Sequence, residues 1–334
     1  MKFGVHYDLR NPMNSGRRTP ELYRQTLEQI RLAEQLGLDD VWLSEHHFVD
    51  DGYLPSLLPF AGAVAAQTDR INVGTNILLM PFHHPIRIAE DCAVVDNISD
   101  GRFMFGAAVG YRREEFETFG VNRRLRGSIT EEAFEIIRLC WSETEFDYIG
   151  KHFNFKGVRC TPKPANETGI PFWVGAHLGE AIKRAARIGD GLLGGGPEGR
   201  AAYVEALKEY GKDFENPRIA SAGRFIFCSR EPAKDWTKLS EHALYQIRLY
   251  ASWFSEAGES IFGEPPKDIP DLEARGIYRV GTPEEIAELI KNEFLAAPYE
   301  RYFFFPIWPG VDVDMANSSL RLFAEEVVPL LRDL

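Results

Sequence analysis

A closed (β/α)8 barrel is the fold this sequence predicts, on three observations. Short apolar runs alternate with segments of helical spacing along the whole chain, eight times in all. The length of 334 residues suits one α/β barrel, a fold that commonly runs past about 250 residues as a single domain. Hydrophobic residues are 44% of the chain, enough for a sizeable core. A doubly wound open sheet is the alternative architecture.

The first unit is "KFGVHYD" followed by "PELYRQTLEQIRLAEQLG", whose apolar residues recur at helical spacing until Gly37 stops them. "DDVWLSE" is the second strand, with a helix over about 56–68. "RINVGTNILLM" and a helix over 85–98 make the third unit. "GRFMFGAAVG" and a helix over 127–142 make the fourth. A β-like excursion, "FDYIGKHFNFKGVRCTP", interrupts the rhythm. "IPFWVGA" with "GEAIKRAARIG" and "DGLLGGG" with "PEGRAAYVEALKEYG" are units five and six. "RIASAGRFIFCS" is the seventh strand. Its helix, "TPEEIAELIKNEFLAA", opens with a capping Thr282 and a proline in the first turn. "RYFFFPIW" and "NSSLRLFAEEVVPLLRDL" close the series.

Between the seventh strand and its helix lies an insertion, residues 231–280. It begins with an aromatic helical piece, "HALYQIRLYASWF". It continues into a stretch rich in Gly, Pro and acids, from which we expect a mobile lid at 257–276. No tandem repeat or low-complexity tract is present.

Composition narrows the function. Lys plus Arg is 38 against 50 Asp plus Glu, a net charge of −12, which argues against a broad nucleic-acid or acidic-membrane surface. The four cysteines lie far apart without a CxxC, as expected in a reducing cytoplasm. Asp8 and Arg10 interrupt the stretch where a signal peptide needs an apolar core, and no apolar run approaches about 18 residues.

In a barrel, chemistry sits at the C-terminal ends of the strands. Those ends are Tyr7 and Asp8; Glu45, His46 and His47; Asn76 to Leu79; Val109 to Arg112; Ala176 to Gly179; Gly194 to Gly196; Ser229; and Ile307 with Trp308. In "WLSEHHFVDDGY" three ionisable side chains follow an apolar run, so they face the mouth, where water and ligand reach them. A second doublet, His83–His84, raises a metal site as a rival. Neighbouring residues on a strand point oppositely, and the later strand ends offer no Asp–His set, so no metal is expected.

Two glycine-rich turns suggest a phosphate. "VGAHLGEAIKRAA" runs from a strand through small residues into a helix whose first amides lack partners and carry the positive end of the helix dipole. "GGGPEG" matches G-x-G-x-x-G across Gly194, Gly196 and Gly199, but not on the first strand, as a dinucleotide fingerprint requires. Two ordinary strand–helix turns are the bland alternative. No GxxxxGK[ST] occurs. Tyr7, Phe48, Tyr111, Trp253, Phe254 and Trp308 are aromatic candidates for an apolar mouth.

At these residues the sequence resembles the bacterial luciferase-like family of flavin-dependent monooxygenases. The likeness is carried by "GLDDVWLSEHHF", by "INVGTNILLMPFHHPIRIAEDCAVVDNISDGRFMFGAAVGYRREEFETFG" and by "PFWVGAHLGEAIKRAARIGDG". It covers about residues 1–200 well and 276–330 more loosely.

The resemblance implies a TIM barrel that binds reduced FMN (FMNH2) at the strand ends. It implies that O2 is activated as a C4a-peroxyflavin to oxidise a small organic substrate. It implies His46 as the group handling the flavin's proton, oriented by Glu45 or His47. A non-proline cis peptide at Asn76–Ile77 and Ala108 with Val109 would lie beside the ring. Ala176, His177, Leu178 and Gly179, and then Gly195 and Gly196, would hold the phosphate. Tyr7, Tyr111 and Trp308 would line the substrate pocket.

Where luciferase itself has a cysteine and an arginine, this chain has Ala108 and Val109. Its phosphate turn lacks hydroxyls at Leu178 and Ala181, which leaves backbone amides, His177 or Arg112 to hold the phosphate. No separate NAD(P)H-binding domain is visible, which suits a separate flavin reductase, the resemblance implies a homodimer, and the cysteine pattern leads us to expect a cytoplasmic protein. A deazaflavin (F420)-dependent oxidoreductase and a non-catalytic flavin-binding protein are the alternatives.

Overall fold

The fold is the (β/α)8 barrel, and the computed structural model describes residues 1–334 apart from Glu167, Ala222, Ser260 and Asp333. In chain order the elements begin β1 (Lys2–Tyr7), α1 (Thr19–Gln35), β2 (Asp40–Leu43), α2 (Leu57–Gln67), β3 (Asn72–Thr75), β4 (Leu78–Leu79), α3 (Pro85–Ile98) and β5 (Phe103–Ala108). Next are α4 (Arg113–Thr118), α5 (Arg126–Ser142), β6 (Phe146–Ile149), β7 (Asn154–Val158), β8 (Phe172–Ala176), α6 (Glu180–Ile188), β9 (Gly191–Gly194) and α7 (Gly196–Glu209). The chain closes with β10 (Ile219–Ala220), β11 (Phe225–Cys228), α8 (Pro232–Glu256), α9 (Ile269–Arg275), β12 (Tyr278–Gly281), α10 (Pro283–Ala296), β13 (Arg301–Phe304) and α11 (Val313–Leu322). These elements group into two compact units. One is residues 1–42, 46–55 and 219–334; the other is 43–45 and 56–218.

In the first unit β1 pairs in parallel with β13, Lys2 opposite Arg301 and Val5 opposite Phe304, and β10 joins β13 through Ala220. The apolar runs of these strands are buried, as parallel strands require. Phe3, Val5, Tyr302, Phe303, Phe304 and Phe323 form the core. At the N-terminal ends of β2 and β13, the Nη1 of Arg301 donates to both carboxylate oxygens of buried Asp40, at 2.6 and 2.7 Å. α10 begins with a complete capping box between Thr282 and Glu285.

In the second unit β3, β4, β8 and β9 assemble with β5 in parallel register. Phe105, Phe134, Trp141 and Phe172 pack their rings behind β5 and β8. β6 and β7 form an antiparallel hairpin.

The elements depart from the sequence reading where local geometry breaks the pattern. "RINVGTNILLM" is not one strand: the Asn76–Ile77 peptide is cis and separates β3 from β4. "RIASAGRFIFCS" divides into β10 and β11, with Ala222 between them outside the described residues. The insertion holds a 25-residue helix, α8, together with α9 and a strand, β12, that pairs in parallel with β11. α4 is a further helix the periodicity does not show, because six residues are too few to establish it.

Within 257–276, arginine side chains supply partners for the loop. Arg248 Nε donates to the Pro266 carbonyl at 2.9 Å, Arg275 binds Asp271 at 2.9 Å, and Leu272 is buried. Ser260, in the same stretch, lies outside the described residues.

Candidate active site

The first unit carries His46. The loop after β2 folds back on itself and on the end of β1. The His46 amide donates to the Leu54 carbonyl at 3.4 Å, that of Leu54 to Asp8 at 2.9 Å, and that of Asn11 to Asp51 at 2.7 Å. Positive φ at Phe48 (57°) and Gly52 (69°) makes the reversal. The buried His46 ring meets Tyr53 edge-on at 4.9 Å between centroids, and Trp253 of α8 at 5.0 Å. His47 is half-buried, its ring 5.8 Å from that of exposed Phe48.

Behind these rings sits a buried charged cluster. Arg10 Nε donates to Asp51 Oδ2 at 2.7 Å, with side-chain exposures of 0% and 2%. The same Asp51 oxygen accepts from the Tyr245 hydroxyl at 2.9 Å. Asp8 accepts from Gln246 Nε2 at 3.1 Å, and Gln246 accepts in turn from the Tyr278 hydroxyl at 2.9 Å. The Tyr53 and Tyr250 hydroxyls lie 3.0 Å apart. Burial works against the charge of Arg10, but Asp8 and Asp51 outweigh it and keep the guanidinium protonated.

Burial, opposed by Arg10 and reinforced by Asp51, pushes the Asp8 carboxyl up to about 6. The sign is fixed by proton binding. Between the unfolded value near 4 and about 6 the native state holds the extra proton, so this group costs stability as pH rises and levels off above 6. Asp8→Asn, which carries no charge at any pH, is therefore expected to gain stability over the wild type as pH goes from 4 to 7. The gain is up to about 3 kcal/mol, read from denaturant melts at each pH. A difference independent of pH contradicts this.

Tyr7 is buried, and its hydroxyl donates to Gln29 of α1 at 3.0 Å. Trp308 packs edge-on to Tyr278 at 4.8 Å and to Phe227 at 5.8 Å. Both belong to a small cleft with Asp8, Arg10 and Ile307.

The second unit carries Glu45 and a bed of small residues. Glu45 is buried. Its Oε2 accepts the Leu79 amide at 2.9 Å, and its Oε1 meets His83 Nε2 at 2.8 Å. The Asn76 amide donates to the Leu43 carbonyl at 2.6 Å. Glu45 thus ties the end of β2 to the strand that follows the cis bond. A Cβ at Gly175 would lie 2.5 Å from Ile77 Cδ1 and 3.2 Å from Ala108 Cβ, so this glycine lets the end of β8 pack closely against Ile77 and β5. Ala108 and Ala176 are buried beside it, and Val109 and Tyr111 are half-buried.

Two turns follow. His177, Leu178 (66% exposed) and Gly179 lead into α6, capped only by the backbone of Gly179 at φ 59°. Gly194, Gly195 and Gly196 all have positive φ and lead into α7, again without a capping side chain. A Cβ at Gly199 would lie 2.4 Å from the His177 carbonyl, so this glycine is what seats α7 against the preceding turn. Arg112 does not stand ready as an anion ligand. Its Nη2 meets Glu114 at 2.7 Å and its Nη1 meets buried Glu115 at 3.5 Å.

These residues fit a flavin mononucleotide. Gly175, Ala108 and Ala176 carry nothing larger than a methyl group, which suits packing against a planar ring. The two uncapped helix starts offer amides to a phosphate. Glu180 and Glu198 in the first turns are exposed and free to turn toward solvent.

The sequence reading missed Arg10, Asp51, Tyr53, Tyr245, Gln246 and Tyr250. A signal was present: Asp8 and Arg10 stand two apart just beyond an apolar strand. Gln246, Tyr250 and Trp253 share a face of α8 at helical spacing.

Known proteins resemble this chain in sequence and in fold. The profile of the luciferase-like monooxygenase family matches residues 1–297. The alkanal monooxygenase alpha chain of Photorhabdus laumondii is 30% identical over 94% of this chain and 93% of its own length. The F420-dependent glucose-6-phosphate dehydrogenase of Microbacterium testaceum is 28% identical over 90% and 91%. Monooxygenase RslO1 of Streptomyces bottropensis superposes with a TM-score of 0.86 at 23% identity, covering 98% of this chain and 99% of that one. The oxygenating constituent of 3,6-diketocamphane monooxygenase of Pseudomonas putida, solved with FMN, gives 0.81 at 19% identity, covering 98% of each.

Proposed function

From the premise that this chain belongs to the luciferase-like monooxygenase family, an enzyme family, we propose that it is an FMNH2-dependent monooxygenase of a small organic substrate. The observation that supports this best is the bed of Gly175, Ala108 and Ala176 together with two helix starts that lack a capping side chain, whose amides suit a phosphate. Reduced FMN, when bound, supplies the electrons with which O2 is activated. The chain's residues do the rest. The amides of the α6 and α7 starts, with His177, bind the phosphate. The Asn76–Ile77 segment, held by Glu45, orients the ring. His46 takes up and returns the proton through an imidazole nitrogen. Tyr53, Trp253 and their neighbours keep the histidine out of water, which protects a reactive oxygen species from wasteful decay.

A separate reductase supplies the FMNH2, in keeping with a structural relative described as an oxygenating constituent. We place the enzyme in the cytoplasm as a homodimer. Among the described residues no helix is long and apolar enough to cross a membrane. An F420-dependent oxidoreductase is the second reading, favoured by the 28% identical dehydrogenase.

Gly179→Asp tests the phosphate assignment. A carboxylate at the start of α6 opposes the phosphate charge, and a side chain is strained at φ 59°. FMN binding is expected to weaken at least tenfold more than riboflavin binding, measured by fluorescence quenching. Equal losses place the phosphate elsewhere.

The stretch 257–276 is proposed as a lid. Limited trypsin digestion, aimed at Lys267 and Arg275, is expected to cut there first, and FMNH2 is expected to slow the cut. First cleavage elsewhere rejects the lid.

A further inference from the structure

We infer that Arg10 and Asp51 form a buried ion pair that positions His46, acting through Tyr53 and Trp253, the two rings that carry both the histidine and the guanidinium. This rests on the reading above in which His46 moves the proton. The geometry is continuous. The Arg10 guanidinium carbon lies 5.8 Å from the Tyr53 ring centre and 5.7 Å from that of Trp253, and further rings, Tyr245 at 5.2 Å and Tyr250 at 5.6 Å, surround it. His46 lies against the same Tyr53 and Trp253. Asp51 meanwhile fixes the loop. Its Oδ1 accepts the Tyr53 amide at 3.2 Å, its Oδ2 takes Arg10 and Tyr245, and its carbonyl takes Asn11.

The pair joins three elements. Arg10 stands just past β1, Asp51 stands in the loop that carries His46, and Tyr245, Tyr250 and Trp253 stand on α8. Arg10 Nη1 and Nη2 make no hydrogen bond of standard geometry among the described residues. They are held instead over ring faces, where a desolvated cation is attracted by each. A lysine would not reproduce the planar fork or the stacking.

A purely structural pair would matter through loop order alone. A positioning pair also sets the field at His46, and that field has a sign. Charged or titratable groups facing the rings are Asp8 and Arg10 beyond β1, Asp51 and Tyr53 in the loop, Tyr245 and Tyr250 on α8, and Tyr278 on β12. Removing the cation favours imidazolium; removing the Asp51 charge disfavours it.

The test is the titration of His46 by histidine-selective NMR of the full chain without flavin, the signal assigned by its loss in His46→Ala. Arg10→Met is expected to raise the His46 midpoint and Asp51→Asn to lower it, each by about half a unit to one unit. Shifts in the same direction, or none, overturn the inference, because loosening the loop moves both variants alike.

Should either single variant fail to fold, the charge-neutral Arg10→Met/Asp51→Asn variant replaces it. Its kcat is then expected to fall at least tenfold with the flavin Kd within threefold of wild type. A wild-type kcat overturns the inference. The titration needs no turnover, so its failure is separate from failure of the monooxygenase reading, which His46→Ala tests alone.

Discussion

His46→Ala is expected to lose substrate oxygenation by about 10²- to 10⁴-fold, the usual contribution of a positioned proton-transfer group, while binding FMNH2 nearly as the wild type does. The reason is the division of labour between residues. The groups proposed to hold the flavin, from Asn76 to Gly196, do not include the histidine. His46 is buried against Tyr53 and Trp253, which limits its replacement by bulk water as a proton carrier. O2 consumption should continue, with a larger share released as hydrogen peroxide.

The assay is oxygenated product and peroxide per FMNH2 added. Its probe is chosen from a panel of small aldehydes and ketones by wild-type turnover. His46→Asn, which keeps a polar side chain but cannot take the proton, is expected to behave like the alanine variant. Wild-type oxygenation by both variants would make His46 a packing residue only.

Asp40→Ala is expected to cost about 3–5 kcal/mol of stability, the range found when one partner of a buried pair is removed. Arg301 is buried; its Nη1 donates to both Asp40 oxygens at 2.6 and 2.7 Å, and its Nη2 meets Glu300 at 3.1 Å. Burial opposes the Arg301 charge, and Asp40 is what outweighs it. The pair stands where β2 and β13 begin, at the opposite ends of those strands from the residues proposed for chemistry. The loss should therefore appear in the unfolding midpoint and not in the per-molecule activity of the folded fraction. Urea melts read the effect. A loss below about 1 kcal/mol, the range of exposed pairs, contradicts it.

The barrel was legible because its strands are buried runs and its helices carry stops, caps and glycines at their ends: Gly37, Thr282 with Pro283, and the "GGG" before α7. What periodicity could not show is backbone geometry and long-range charge. Periodicity shows neither the cis bond at Asn76–Ile77, which the family resemblance implies, nor the division of "RIASAGRFIFCS". The strand β12 exists because Tyr278–Gly281 finds a parallel partner in Phe225–Cys228.

The glycine turns were legible as phosphate candidates, and the roles of Gly175 and Gly199 were not, since each is defined by a neighbour far off in sequence. The charged cluster was the largest omission. Asp8 reads as a strand-end residue, Arg10 and Asp51 do not read as site residues, and only the fold shows that α8, some 200 residues on, buries them.

This chain is proposed to use a reduced flavin mononucleotide to activate O2. Anaerobic titration of the purified protein with FMNH2, oxidised FMN, FAD and reduced F420, followed by O2, tests it directly. FMNH2 is expected to bind more tightly than FAD or reduced F420, and adding O2 with reductase-supplied FMNH2 is expected to yield an oxygenated product. Preferential binding of reduced F420, with substrate reduced in the absence of O2, would contradict it.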